Sequence, residues 1–417
     1  MQELTMTLSR RDMLRSTLLG AAALSSTPFT AMPLAASSSV TPHTPRNFKR
    51  IATEEAFITK EIFGAHLELL ANNPEAEPGF SHFWETALGK PGDMIAGLSS
   101  VIGGENTAGL ADFISSSVEA TGSESSVTSI GRLFDLDEDR IRIMDETGVA
   151  MQVISLASPG VQVFNAELAT PLARQANDQL AAAIAKHPER FSGLAAIAPQ
   201  DPDSAAQELD RAIRQLGLKG AIINSHTKGE YLDEEKFRPI LAKANELKVP
   251  IYLHPRTPAP QMLEPFTKYS GLAAATYGFS VETGLHALRL ILSGVFDDYP
   301  DLTVVLGHMG EGLPLWIDRV DNRTAFIQTG PGKKLRKLKK KPSDYLKENF
   351  FITTSGMDFE PALMLAHSVV GPDRIMFAID HPMEDGRNPV RVLDEAPISD
   401  EDKEKIYHRN AEQLFRL

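Results

Sequence analysis

The chain has 417 residues, 42% hydrophobic and 23% charged, an ordinary globular composition with length for one large domain or two smaller ones. A formal charge of −13 argues against nucleic acid as a partner, because phosphate binding wants a basic surface. There is no cysteine, which excludes disulfides, thiolate ligands and a cysteine nucleophile together and leaves His, Asp and Glu to hold any metal.

In chain order, the first segment reads as an export signal. Ser9-Arg10-Arg11-Asp12-Met13-Leu14 has the form of a twin-arginine motif. An apolar stretch from Leu18 to Leu24 follows, then small residues through Ala35, Ala36 and Ser37. The apolar run is shorter than the about 20 residues a bilayer span needs. Residues 1–37 are therefore expected to be a signal peptide and 38–49 a linker, with periplasmic delivery and no stable membrane insertion.

From residue 50 onward eight short β-rich runs appear: Arg50–Glu54, Ala150–Ala157, Phe191–Ala198, Lys219–Asn224, Pro250–His254, Leu302–His308, Phe350–Ser355 and Arg374–Asp380. Most are continuous apolar stretches, which marks strands buried on both faces of a parallel sheet. Helical periodicity fills the intervals at Asp139–Thr147, Ala166–Lys186, Asp203–Leu216, Asp233–Leu247 and Glu282–Phe296. Eight strands alternating with helices is the count of a closed (β/α)8 TIM barrel spanning 50–417. The doubly wound alternative lacks its glycine-rich phosphate loop after the first strand. The interval between the first two strands, with an insertion at about 60–135, far exceeds a usual crossover of about 10 to 15 residues or somewhat more. It leaves the C-terminal end of a strand, so it is expected above the active site as a lid, a specificity element or an oligomer contact.

Chemistry in such a barrel gathers at the C-terminal strand ends. Those ends carry Glu54, His254, His308 and Asp380, four residues able to bind a divalent ion such as zinc or manganese. In Gly307-His308-Met309-Gly310-Glu311 the carboxylate stands three residues on, at the start of an expected helix. There it either turns back to fix the imidazole tautomer or only favours the helix N-terminus. Arg256 is placed to bind a substrate carboxylate or to make a surface ion pair, and His226 and His381 are expected to line the pocket. His286 sits within a helix and reads as packing.

The segments Ile51–Phe57 (IATEEAF), Asp145–Gln162 (DETGVAMQVISLASPGVQ) and Tyr252–Arg256 (YLHPR) resemble the amidohydrolase-related decarboxylase family. So do Val305–Pro314 (VLGHMGEGLP), Phe350–Gly356 (FFITTSG) and Lys405–Leu417 (KIYHRNAEQLFRL). The family includes the 2,3-dihydroxybenzoate, γ-resorcylate and aminocarboxymuconate-semialdehyde decarboxylases, and the hydroxybenzoate branch is the nearest in pattern. The resemblance implies that Glu54, His254 and Asp380 hold one divalent metal, Zn2+ or Mn2+, beside a catalytic dyad of His308 and Glu311; in a decarboxylation, Asp380 or a metal-bound water, positioned with His308, is expected to protonate the ring carbon. It implies non-oxidative decarboxylation of a small hydroxylated aromatic or related unsaturated acid, in a homodimer or homotetramer. The alternative on the same ligands is hydrolysis of an ester, lactone or amide. Two departures stand out. Ala56 replaces the His of a Glu-x-His pattern found in many relatives, and Asp380-His381-Pro382-Met383-Glu384 replaces an aromatic pair around the proline, which alters the pocket wall.

Overall fold

A computed structural model describes residues 48–88, 130–329 and 336–417. The expected signal segment, all but the end of the linker and the middle of the insertion lie outside the described residues.

Nine strand segments follow one another: β1 (Ile51–Phe57), β2 (Met151–Leu156), β3 (Phe191–Gly193), β4 (Ala195–Ala196), β5 (Ala221–Asn224), β6 (Ile251–His254), β7 (Val304–Leu306), β8 (Phe350–Thr353) and β9 (Ile375–Met376). All pair in parallel, in the orders β1-β2-β3 and β4-β5-β6-β7-β8-β9. β3 and β4 are halves of one strand divided at Leu194. The Leu194 N–H donates to Ile154 O of β2 at 2.9 Å, and the Ala195 N–H donates to Gly220 O before β5 at 2.8 Å. The nine segments therefore fill eight positions. On the far side the Thr53 N–H donates to Phe377 O at 3.1 Å and the Ala56 N–H to His381 O at 2.8 Å. These bonds join the strand after β9 to β1, and the fold is a (β/α)8 barrel.

The strands are buried because their runs are apolar on both faces: every residue of β5, β7 and β8 is buried. Full burial of each Val, Leu, Ile or Phe stabilises the barrel by about 1.5–3 kcal/mol. The helices start and stop on local signals. Asn165 and Asp201 cap Ala166–Lys186 and Pro202–Arg214 by accepting the N–H of Leu168 and of Ser204. Gly148, left-handed at φ 68°, ends Glu138–Thr147. Two expected helices shift. The span over 233–247 opens as a 3-10 turn, Glu235–Phe237, before the helix Arg238–Leu247, and the span over 282–296 begins at Gly278 and breaks at Gly294.

Of the insertion, the helices Lys60–Asn72 and Pro78–Leu88 are described. Phe63, Phe80 and Trp84 pack there as an aromatic cluster, with Phe63 and Trp84 ring centroids 5.9 Å apart. Glu77 pairs with Arg256, just past β6, at 2.7 Å, so this part of the insertion is fastened to a strand end. Among the described residues no helix is long and apolar enough to cross a membrane.

Candidate functional site

Glu54, His254 and Asp380 converge at the C-terminal rim of the barrel, with one ligand atom from each within 4.8 Å of the others. A register shift between Ala52 and Glu55 in the β1–β2 ladder puts one extra residue on β1 where Glu54 sits, the kind of bulge that re-aims a side chain. One oxygen of Glu54 is saturated. Its Oε2 accepts from the hydroxyls of Tyr252, Thr353 (2.8 Å) and Ser355. The other oxygen, Oε1, is buried and has no hydrogen-bond partner among the described residues. Burial, and then the Glu54 charge, hold the Tyr252 hydroxyl well above its usual pKa, so it stays a donor. Gly307 is required beside this carboxylate, because a Cβ there would lie 2.8 Å from Oε1.

The orphaned oxygen faces another acceptor. His254 Nδ1 lies 2.8 Å from Pro255 O, and since a carbonyl only accepts, Nδ1 carries a hydrogen, which in the neutral ring leaves Nε2 its lone pair. That Nε2 stands 3.6 Å from Glu54 Oε1. Two acceptors held face to face repel each other, and a cation between them offsets the repulsion. Metal–ligand bonds of about 2.0–2.2 Å suit this spacing, and the oxygen and nitrogen donors suit zinc or manganese. The residues present therefore fit a single divalent ion.

His308 flanks the set. Its Nδ1 donates to Glu311 Oε1 at 2.8 Å and lies 3.8 Å from Glu54 Oε1, while its Nε2 is 3.6 Å from Asp380 Oδ2. Burial works against charge on this ring, but the carboxylates of Glu54, Glu311 and Asp380 outweigh it and lift the imidazole well above the ordinary histidine range. A cation among the same carboxylates works in the opposite direction. The expectation that Glu311 opens a helix is corrected. His308, Met309, Gly310, Glu311 and Gly312 are all left-handed, with φ between 50° and 80°, and the next helix starts at Leu313. This turn is what folds Glu311 back onto His308. Each non-glycine residue held so costs roughly 1–2 kcal/mol, a local strain maintained where the dyad is assembled.

Asp380 is left-handed too, at φ 80°. The residue beneath it was not singled out by sequence reasoning. Glu55, fully buried, accepts the N–H of Ile379 at 3.1 Å and the N–H of His381 at 3.0 Å. Burial raises its pKa to about 8 against the pull of those two donors. The doubled Glu at a buried strand end was the available signal, since successive strand side chains point to opposite faces and each needs its own partners.

The remaining expected residues fall nearby with their polar atoms mostly engaged. Arg256 is buried; its Nη2 donates to Glu77 and its Nη1 to His226 O at 3.1 Å. His226 has both ring nitrogens on backbone, Thr257 O at 3.1 Å and the Gly229 N–H at 3.0 Å, and burial depresses its pKa to about 2. His381 is buried before a cis Pro382, and its Nε2 has no partner among the described residues. The hydroxyls of Tyr252, Thr353 and Ser355 were also missed. Tyr252 lies two residues before His254 on one strand, the spacing that places both side chains on one face.

Over most of its length the chain is similar to known proteins. The family model described as Amidohydrolase matches residues 132–417. The γ-resorcylate decarboxylase of Polaromonas sp. is 41% identical over 293 residues, covering 69% of this chain and 89% of that protein. The 5-carboxyvanillate decarboxylase of Sphingomonas paucimobilis superposes with a TM-score of 0.76 at 36% identity, covering 89% of this chain and 99% of the other. A 5-carboxyvanillate decarboxylase of Novosphingobium aromaticivorans, complexed with manganese and 4-hydroxy-3-methoxy-5-nitrobenzoic acid, gives a TM-score of 0.75 at 40% identity, covering 89% and 96%. The matched span holds all the rim residues except Glu54, and the chain belongs to the amidohydrolase family.

Proposed function

We propose that this protein is a metal-dependent, non-oxidative carboxy-lyase acting on a 2-hydroxybenzoate-type acid. The observation that carries the reading is the His308 Nε2–Asp380 Oδ2 approach of 3.6 Å beside the orphaned Glu54 oxygen. A divalent cation bound by Glu54, His254 and Asp380 supplies positive charge for the substrate carboxylate and neighbouring phenolic oxygen. Asp380 delivers a proton to the ring carbon that bears the carboxylate. His308 replenishes that proton through Nε2, with Nδ1 held by Glu311. The electrons of the breaking C–C bond return to the ring, CO2 departs, and the new C–H bond remains.

Relatives complexed with manganese favour Mn2+ as the ion. His381 Nε2 is assigned to substrate, whereas a substrate carboxylate reaches Arg256 only by competing with Glu77. The helix Leu313–Thr329 exposes Leu315, Trp316 and Phe326, which supports a homodimer or homotetramer. The Arg10-Arg11 motif supports twin-arginine export to the periplasm; changing both to Lys is expected to retain the protein inside the cell.

The test is product analysis by NMR on Mn2+-reconstituted protein, with panels of 2-hydroxybenzoates and of lactones and esters. The reading expects a phenol and CO2 from a hydroxybenzoate. Acid release from a lactone or ester, with every benzoate untouched, would replace it with a hydrolase on the same ligands.

A further inference from the structure

We infer that Glu55 is a positioning residue that holds Asp380 in its left-handed conformation, and so sets the geometry of the metal centre. The inference rests on the reading of Asp380 as a metal ligand. On β1, Glu54 points to the rim and its neighbour Glu55 to the other face of the strand, into the seam where the chain after β9 closes against β1. In that seam the ladder runs normally at Thr53, whose N–H donates to Phe377 O at 3.1 Å, and resumes at Ala56, whose N–H donates to His381 O at 2.8 Å. Between those points the chain carrying Ile379, Asp380 and His381 leaves the strand conformation, and its N–H groups need other acceptors.

The Glu55 carboxylate is the substitute. One oxygen takes the Ile379 N–H and the other the His381 N–H, on either side of Asp380. The 378–379 and 380–381 peptide planes are thereby anchored, and the His381 carbonyl is anchored next to them on Ala56. Only the 379–380 link between those planes is left, so Asp380 keeps its φ of 80° and its carboxylate stays among Glu54, His254 and His308. Arg140, itself buried, is the cation that faces Glu55. Its guanidinium is fixed on Ala56 O at 2.6 Å, Gln152 Oε1 at 3.2 Å and Asp135 O at 2.6 Å, which holds a positive charge against the same seam.

The experiment titrates metal-free protein with Mn2+ and follows the ion by electron paramagnetic resonance, so no substrate is involved. Glu55→Gln keeps the side-chain shape but turns an N–H toward one of the two amides. It is expected to weaken Mn2+ binding about 10- to 100-fold, the usual cost of losing a partner behind a ligand, and to change the zero-field splitting of the bound ion. Glu208→Gln is the control. Glu208 is equally buried, in a network with Asn177 and Arg211 away from the rim, and this variant is expected to lower thermal stability with the Mn2+ spectrum and affinity unchanged. Should Glu55→Gln not fold, Glu55→Asp retains both oxygens one methylene short and is expected to show the same spectral change. A folded Glu55 variant with wild-type affinity and spectrum overturns the inference. A wild-type protein that binds no Mn2+ overturns the metal reading of the site instead, and this inference with it.

Discussion

Two buried clusters of similar composition sit in this barrel, and only one has the character of a reaction centre. At the rim, Glu54 Oε1 and His254 Nε2 face each other as acceptors with no hydrogen between them. In the wall beside β5, Ser225, Glu282, His286 and Tyr231 look by composition like a nucleophile, a base and a carboxylate, yet every contact is complementary. The Leu232 N–H donates to His286 Nε2 at 2.9 Å, so Nδ1 carries the hydrogen and faces Ser225 Oγ at 3.2 Å. Ser225 donates to Glu282 Oε1 at 3.2 Å, and Tyr231 and the Ala259 N–H satisfy Glu282 Oε2. His286 cannot take a proton from Ser225 in this arrangement. Residue types do not separate the clusters; hydrogen-bond direction does. A satisfied network braces a wall, and an unsatisfied one marks the place for a ligand.

That contrast can be broken from either side. The largest expected effect is at the rim, where Asp380→Asn should lower turnover about 10²- to 10⁴-fold while much of the bound metal is retained. Steady-state CO2 release alongside metal analysis measures both, and full activity in this variant would remove Asp380 from proton transfer. Next comes metal removal. If the rim is strained without an ion, chelation should lower the thermal midpoint, by about 4 kcal/mol of linked stability when the ion is present at a thousandfold its dissociation constant; calorimetry with and without chelator reads this.

In the wall, Ser225→Ala should cost about 1–3 kcal/mol of stability by stranding a buried partner, with turnover unchanged. A loss of turnover in the folded, metal-loaded variant would make the wall catalytic and dissolve the contrast.

Acid stability gives a separate effect that accumulates over several buried rings. Burial depresses His66 to about 4, His226 to about 2 and His286 to about 3, all below the roughly 6.5 of an unfolded histidine. The unfolded chain therefore binds more protons, and stability complete above pH 6.5 is lost as pH falls below it, by about 1.4 kcal/mol per histidine for each unit. Thermal midpoints between pH 7.5 and 5 should fall accordingly; a flat profile would mean these rings take protons in the folded state.

Much of the architecture was legible because barrel strands are continuous apolar runs. The helix Ala166–Lys186 falls at the bounds its periodicity predicts. The rim was legible for the related reason that Glu54, His254, His308 and Asp380 are the polar residues at which those runs stop. The turn from His308 to Gly312 was not. A Gly-His-Met-Gly-Glu-Gly sequence before an apolar helix reads as a helix start, and only tertiary contacts hold non-glycine residues left-handed. The Arg256–Glu77 pair was hidden for another reason: its partner is 179 positions away inside an insertion without sequence periodicity to locate it.

The central claim is that the rim holds one ion per chain and that this ion is needed for C–C cleavage. The most direct measurement titrates metal-free protein with Mn2+ while recording bound ion and CO2 release from a hydroxybenzoate substrate in the same samples. The account predicts that activity rises in proportion to bound ion and stops at one per chain. Cleavage with no ion bound, or a plateau reached only at two ions per chain, would contradict it.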